Sequence, residues 1–435
     1  MVNDSSPRGA LRRGLRLGKL GFSLTGSYLG FQLQNLVLGE NKERRRRLEQ
    51  TASRRVRREL ESLKGPVMKL GQLLSQQTQI LPEEAIRELS SLQMQAPGMH
   101  PTLARAQFKS ACGKHPEEAF SSFEPEPFAA ASLGQVHRAV TRRGDRVAVK
   151  IQYPAIRAAI ENDFKLLRSA TFPGRLTGHA PVAILNEVER GFLEETDYVR
   201  EGKNLDFFRE KLARFTHFSI PRVHWDLTTD RVLTMSLLEG TPANEFVLMD
   251  PPQGVRDLIG SRLFELYHYQ IQRLGALHAD HHPGNFLFQP DGRIGVVDFG
   301  CVKRLSIDGA EIVRCCVQRG WQQGQAQADH LLRLVFGPKV PLLHARKMLP
   351  HFRELVDMLF PAPGANGVQA LVDFGEAKFL ETLGKSMTRA LRHKATNPEF
   401  AFITRTELGL YSLLHQLRAR VDTMRVWRRV KSLDL

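Results

Sequence analysis

The stretch His278-Ala279-Asp280-His281-His282-Pro283-Gly284-Asn285 places an aspartate two residues after a histidine and an asparagine five residues after that aspartate. A carboxylate and a carboxamide at this spacing present hard oxygen donors of the kind magnesium takes. Asp298, in Asp298-Phe299-Gly300, adds a further carboxylate thirteen residues beyond Asn285. Far upstream, Lys150 ends the apolar run Val147-Ala148-Val149. Phosphoryl transfer asks a protein for a lysine on the phosphate oxygens, an acid to hold that lysine, oxygen donors for a divalent cation and an acid near the attacking hydroxyl. The chain offers candidates for these parts in the order Lys150, Asp280, Asn285, Asp298.

Each part alone is weak. A lysine at the end of a strand is usually a surface lysine, and Asp-Phe-Gly recurs at Asp373-Phe374-Gly375. That second copy serves as a control: no histidine-x-aspartate loop precedes it, and it is expected to begin a helical stretch. His278 reads as a core histidine that orients the loop, and neighbouring His281 and His282 beside a proline are poorly placed to converge on one ion. Together, in order and spacing, the parts match the catalytic-loop aspartate, metal-binding asparagine and Asp-Phe-Gly aspartate of protein kinases.

The elements that must carry these residues follow from pattern. Residues 120–152 alternate around Gly144-Asp145 as a β-hairpin ending at Lys150, with the alanine-rich run 129–136 before it. Helices are expected over about 156–215, a strand over 231–239, then two short strands flanking Pro290-Asp291-Gly292, which set the 278–285 loop before a hairpin that closes at Asp298. From 305 onward the pattern is helical, and upstream residues 64–97 read as a helical hairpin.

At 435 residues, 42% hydrophobic and 25% charged, the chain can bury one large core or two ordinary ones. Cys112, Cys301, Cys315 and Cys316 suit neither a Cys-x-x-Cys knuckle nor a disulfide framework, and the amino terminus lacks signal-peptide order, so a reducing, cytoplasm-facing setting is expected. Of the net +16, +9 falls in residues 1–64. There, the uncharged glycine-rich tract 20–39 precedes arginine runs at 44–47 and 54–58. Its length suits membrane contact and the arginines suit anionic headgroups, while Ser23, Thr25, Gln32, Gln34 and Asn35 make it a poor spanning helix. Peripheral membrane association, a single N-terminal membrane segment and a soluble partner-binding leader remain open. No nucleic-acid module accompanies the basic runs, and nucleic acid is not expected as a partner.

Lys69-Leu70-Gly71-Gln72 with Ser75, Ala129-Ala130-Ala131-Ser132 with Gly134 to His137, Glu195-Thr196-Asp197-Tyr198 with Glu201 and Asn204, and His278-Ala279-Asp280 with Pro283-Gly284-Asn285 together resemble the UbiB family of atypical kinases, also called AarF or ADCK. The resemblance runs over about 60–420. It implies an α+β, protein-kinase-like two-lobed fold: a leader at 1–58, a helical extension at 59–118, a β-rich N-lobe at 119–240 and a helical C-lobe at 241–435. It further implies ATP with Mg2+ or Mn2+, an anionic membrane surface, and isoprenoid lipid or quinone-biosynthesis proteins as partners. By that resemblance Lys150 contacts the α- and β-phosphates, Glu195 pairs with it, Asn285 and Asp298 hold metal, and Asp280 is the acid nearest the transferred phosphoryl. Ala129, Ala130, Ala131, Ser132, Gly134 and Val136 line the nucleotide. Lys69, Gly71, Gln72 and Ser75, with Asp197 and Glu201, form a regulatory set in which the lysine-glycine-glutamine helix covers the acceptor side and Lys69 meets Glu195 and Asp197.

Two departures stand out. Alanines occupy positions where kinases place glycines, and alanine disfavours the positive φ that glycine accepts, so nucleotide handling should differ. His281 stands where the family has proline. A non-catalytic pseudokinase scaffold or lipid-binding protein, and a small-molecule kinase of the aminoglycoside or choline type, are the alternatives.

Overall fold

The computed structural model describes residues 99–131, 133–170, 180–338, 340–362, 370–376, 379, 382–383 and 397–433. The leader, the segment 64–97 expected to be helical and bearing Lys69, Gly71, Gln72 and Ser75, and Ser132 lie outside them. The described residues divide into two units: one holds those from Met99 to Val199 together with His224–Thr234, the other Arg200–Val223 and those from Met235 to Leu433.

In the first unit, strands β1 (Phe120–Phe123), β2 (Ala129–Ala131), β3 (Gly134–Thr141) and β4 (Arg146–Gln152) build an antiparallel sheet, with β6 (Val232–Ser236) beyond β4. The expected hairpin is β3–β4, in register from Gly134↔Gln152 to Val140↔Arg146. Its turn works because Gly144 adopts φ +89° and the Thr141 N–H donates to the Asp145 carbonyl at 2.9 Å. All residues of β4 from Val147 to Gln152 are buried, so this strand is covered on both faces. Pro101–Cys112 supplies one cover, packing Ala104 and Phe108 with Phe120, Val147, Val149 and Ile151. Helices Ile156–Ala170 and Ala180–Glu195 supply a second cluster through Ile156, Ile160, Phe164, Phe192 and Leu133. Full burial of each such aliphatic or aromatic side chain is worth roughly 1.5–3 kcal/mol.

In the second unit, β5 (Phe218–Ser219), β10 (Ile294–Val296), β9 (Phe286–Phe288) and β7 (Thr241–Pro242) pair in that order, and β8 (Ala276–His278) pairs antiparallel with β11 (Val302–Arg304). Helix Gln253–Tyr269 is buried along its second half and continues into a π-helical turn, Gln270–Leu274, which Gly275 ends at φ +56°. The carboxy-terminal helix Thr423–Ser432 buries Val426, Trp427 and Val430, and its Arg429 reaches the buried Glu265 at 2.9 Å. Among the described residues no helix is long and apolar enough to cross a membrane.

One expectation is corrected here. The second Asp-Phe-Gly is a strand end and a turn rather than the first turn of a helix, with helical residues following at Phe379 and 382–383: Val372–Asp373 is a short strand paired with Arg420–Val421, and Phe374 is fully buried against Tyr411. Aromatic burial, with the pairing to residues some fifty positions downstream, overrides the local pattern.

Candidate functional site

Register alone collects the first unit's candidates. Ala129 lies opposite Val136, Ala131 opposite Gly134, and Val136 opposite Lys150. Lys150 is buried, and its Nζ sits 5.0 Å from the Tyr198 ring centre, close enough for a cation–π contact. The alanine run is extended strand, without positive φ, so its backbone does not take the glycine-type conformation at all. Gly134 is required for space: a Cβ there would collide with the Ile151 carbonyl, meeting its carbon at 2.9 Å.

Gln152, two residues past Lys150, donates to the Thr196 carbonyl at 2.7 Å. That bond ties the end of helix Ala180–Glu195 to β4 and holds half-buried Glu195 and Asp197 on either side of the anchor.

The second unit brings together Asp280, Asn285 and Asp298. His278 closes β8 and the loop begins immediately after it; Asn285 ends the 3-10 turn Pro283–Asn285 and β9 follows. The Asn285 carboxamide donates to the Asp280 carboxylate at 2.8 Å, and the Val297 N–H donates to the Asn285 carbonyl at 3.0 Å. The Ala279 N–H donates to the Cys301 carbonyl at 2.9 Å, so the loop and the Asp298-Phe299-Gly300 turn are sewn to each other at both ends. His278 Nε2 lies 2.8 Å from the Asp298 carbonyl, which can only accept, so Nε2 carries the proton. Burial pushes the His278 imidazole below its usual range against the opposing charges of Asp280 and Asp298. This histidine orients the loop from within the core.

His281 is also buried. Its ring stacks on Phe286 at 5.7 Å and meets Tyr267 edge-on at 6.3 Å. Gly409, on helix Pro398–Leu417, leaves room for it: a Cβ there would come within 2.9 Å of the His281 Cβ. The neighbouring His282 is exposed and caps the turn, its Nδ1 accepting from the Gly284 N–H at 3.1 Å.

Two positioning residues, Gln270 and Gly409, escaped the sequence reading, and for a third, Asn204, the motif was read but not the role. Gln270 accepts the His278 N–H at 2.6 Å from the π-helical turn, a feature that often marks functional segments. Asn204 donates to the Phe299 carbonyl at 3.0 Å, on the same helix as buried Glu201. Only Asn204 carried a signal, as part of the motif around Glu201; the others act through partners distant in sequence.

Half-buried Asp280, Asn285 and Asp298 are oxygen donors on two hydrogen-bonded segments, a set that suits a hard divalent cation better than a soft one.

Comparison with known proteins bears on the family and the fold. A family model described as the ABC1 atypical kinase-like domain matches residues 91–323. ACTIVITY OF BC1 COMPLEX KINASE 7, chloroplastic, of Arabidopsis thaliana is 35% identical over 265 residues, covering 60% of this chain and 38% of that protein. A probable protein kinase UbiB of Xylella fastidiosa is 32% identical over 322 residues, covering 68% of this chain and 57% of the other. The match thus spans about a third to just over half the length of these two relatives. Among solved structures, Rv3197 of Mycobacterium tuberculosis, determined as a complex with erythromycin, superposes with a TM-score of 0.61 at 26% identity, covering 90% of this chain and 98% of that one.

Proposed function

Since the chain belongs to the ABC1 atypical kinase-like family and has its protein-kinase-like α+β fold, we propose that it is an ATP-binding, divalent-cation-dependent atypical kinase or ATPase. The observation that carries this reading is the bonded convergence of Asp280, Asn285 and the Asp298 turn, with the His278 ring fixing the Asp298 carbonyl at 2.8 Å. ATP with Mg2+ or Mn2+ would supply the transferable phosphoryl group. Asn285 and Asp298 would hold the cation, and Asp280 would take the proton of the attacking hydroxyl or water. Lys150 would hold phosphate oxygens with Glu195 as its acid partner, and Ala129 to Val136 would lie against the nucleotide. Lys69, Gly71, Gln72 and Ser75, with Asp197 and Glu201, would restrain the acceptor side.

The physiological setting we assign is isoprenoid-quinone metabolism at an anionic membrane surface. The motif resemblance to the UbiB family supports the first part, and the basic leader with its apolar tract 20–39 supports the second. ATP hydrolysis by the full chain, measured with lipid or detergent beside Asp298→Asn, tests the catalytic reading: equal hydrolysis, or none in either protein, removes it in favour of a scaffold. Quinone profiles of a deletion strain test the setting, and flotation with anionic liposomes, lost when residues 1–58 are removed, tests the surface.

A further inference from the structure

Away from the 278–285 loop, helices Ile307–Val317 and Gln325–Phe336 of the second unit bring together a carboxylate, a thiol and an imidazole. Glu311 and Cys315 lie four residues apart, one above the other on the same helix face, and the Cys315 thiol points at Glu311 Oε1 from 3.3 Å. From the neighbouring helix, His330 Nε2 approaches the same oxygen at 3.7 Å, and the three donor atoms all lie within 4.8 Å of one another. Donors sharing a tetrahedral zinc ion, with bonds of about 2.0–2.3 Å, stand roughly 3.3–3.6 Å apart. The two measured edges bracket that span, and the third closes with a small rotation of the half-exposed His330 side chain.

The second oxygen of Glu311 is already occupied. Arg314 donates to Oε2 through both Nε and Nη2, which fixes the carboxylate and turns Oε1 toward Cys315 and His330. Such an outer partner is the usual companion of a ligating carboxylate. Cys316, next in sequence, faces Glu407 and Tyr411 and is no part of the cluster. Cysteine spacing alone could not show this site, because its other two donors are a glutamate one turn away and a histidine on the next helix.

We propose that Glu311, Cys315 and His330 form a site for a zinc-class divalent transition cation, with three protein ligands and a fourth position left to water. A thiolate, an imidazole and one carboxylate oxygen select borderline-soft cations and discriminate against magnesium. On binding, the metal–sulfur bond forms as the Cys315 thiol loses its proton to solvent, and the two helices become joined.

The test uses the full chain, stripped with a chelator and held in excess Mg-ATP so that oxygen-donor sites are filled. Zn2+ is titrated against a chromogenic competitor, and Co2+ is added in parallel as a spectroscopic probe. One equivalent of Zn2+ is expected, together with a thiolate-to-cobalt charge-transfer band. Cys315→Ser should abolish the band, His330→Ala should weaken binding at least tenfold, and Cys316→Ser should leave both intact. His330 is exposed, so its alanine variant reports on ligation with the fold preserved. Absence of the band in the unmodified protein, or its survival in Cys315→Ser, overturns the proposal; neither result bears on the sulfur-free Asp280, Asn285 and Asp298 set.

Discussion

Asn285 gives its carboxamide N–H to the Asp280 carboxylate at 2.8 Å, which leaves Asn285 Oδ1 as the free acceptor of that side chain. An asparagine here therefore does two things that an ionised aspartate cannot: it adds no negative charge beside Asp280 and it donates. Asn285→Asp would set two carboxylates against each other, a pair that resists ionising together. Without cation the variant should melt several degrees below the unmodified protein, and Mg2+ should raise its melting temperature by more. Equal Mg2+ shifts in the two proteins would count against Asn285 as a cation ligand.

Nucleotide binding should depend on cation through Asp298 and on phosphate contact through Lys150. A ligand present at 100 times its Kd stabilises the native state by about 2.7 kcal/mol. Melting in ATP with Mg2+ should show that gain in the unmodified chain and little of it in Asp298→Asn. Lys150→Ala should lose it as well, though burial of that side chain means some baseline stability goes with it.

The two small-residue positions of the β2–β3 region should respond in opposite ways. Gly134→Ala forces a methyl into the Ile151 carbonyl and should cost about 1–3 kcal/mol as an overpacking change, seen as a lower urea midpoint. Ala129 is exposed strand, and glycine there costs at most about 1 kcal/mol in chain entropy. Ala129→Gly should keep the fold while altering nucleotide preference or self-phosphorylation, since it frees the backbone opposite Val136. A nucleotide profile identical to that of the unmodified protein would show that the alanine does not restrain the site.

Sequence pattern carried the local pieces of this architecture and missed the distant ones, for a physical reason. Hairpins at 134–152 and 286–296 announce themselves because alternation and a turn glycine, Gly144 at φ +89° or Gly292 at φ +82°, are local facts. The two Asp-Phe-Gly copies show where locality ends. Gly300 donates to Asp298 Oδ1 at 2.9 Å and Gly375 donates to Asp373 Oδ1 at 2.8 Å, so both tripeptides form the same turn. What separates them is company: His278 ties the first to the loop that carries Asp280 and Asn285, whereas the second, its Phe374 carbonyl met by His415 at 2.7 Å, continues a strand paired with Arg420–Val421. The alanine-rich run was legible as a departure, but its being a strand depends on pairing with β3.

Acid should destabilise the second unit through its buried histidines. Burial holds His268 and His281 down to about 3 from an ordinary 6.5, the neighbouring His278 adding to the shift at His281. Below pH 6.5 the unfolded chain binds protons at both sites and the native state does not until pH nears 3, so their stabilisation is complete above 6.5 and is lost as pH falls through that window. Each contributes on the order of 1.4 kcal/mol per pH unit there. Glu407 acts in the opposite sense: burial lifts its carboxyl from 4.5 to about 7, so between those values stability falls as pH rises. Two histidines outweigh one glutamate. Urea midpoints should therefore drop on acidification from pH 6.5 to 4.5, and His268→Phe should flatten the dependence by about one group. An unchanged slope in that variant would contradict the assignment of a neutral His268.

The contact between His281 and Gly409 makes the sharpest prediction, because it reverses an ordinary expectation. Replacing a helix-interior glycine by alanine normally gains up to about 1 kcal/mol. Gly409 sits within helix Pro398–Leu417, yet a Cβ there would stand 2.9 Å from the His281 Cβ, so the methyl must push on the loop that carries Asp280. Overpacking of this kind costs about 1–3 kcal/mol. Gly409→Ala should accordingly lower stability and weaken Mg-ATP binding beyond what the stability change explains, since His281 is one residue from Asp280. His281→Gly removes both the ring, stacked 5.7 Å from Phe286, and the Cβ that would collide, so alone it should be strongly destabilising. In its background, however, Gly409→Ala loses its antagonist and should turn neutral or stabilising. A double-mutant cycle on urea midpoints would then show coupling of at least about 1 kcal/mol. Additive effects would mean that Gly409 is tolerated for reasons unrelated to His281, and that the histidine holds the loop through its aromatic neighbours alone.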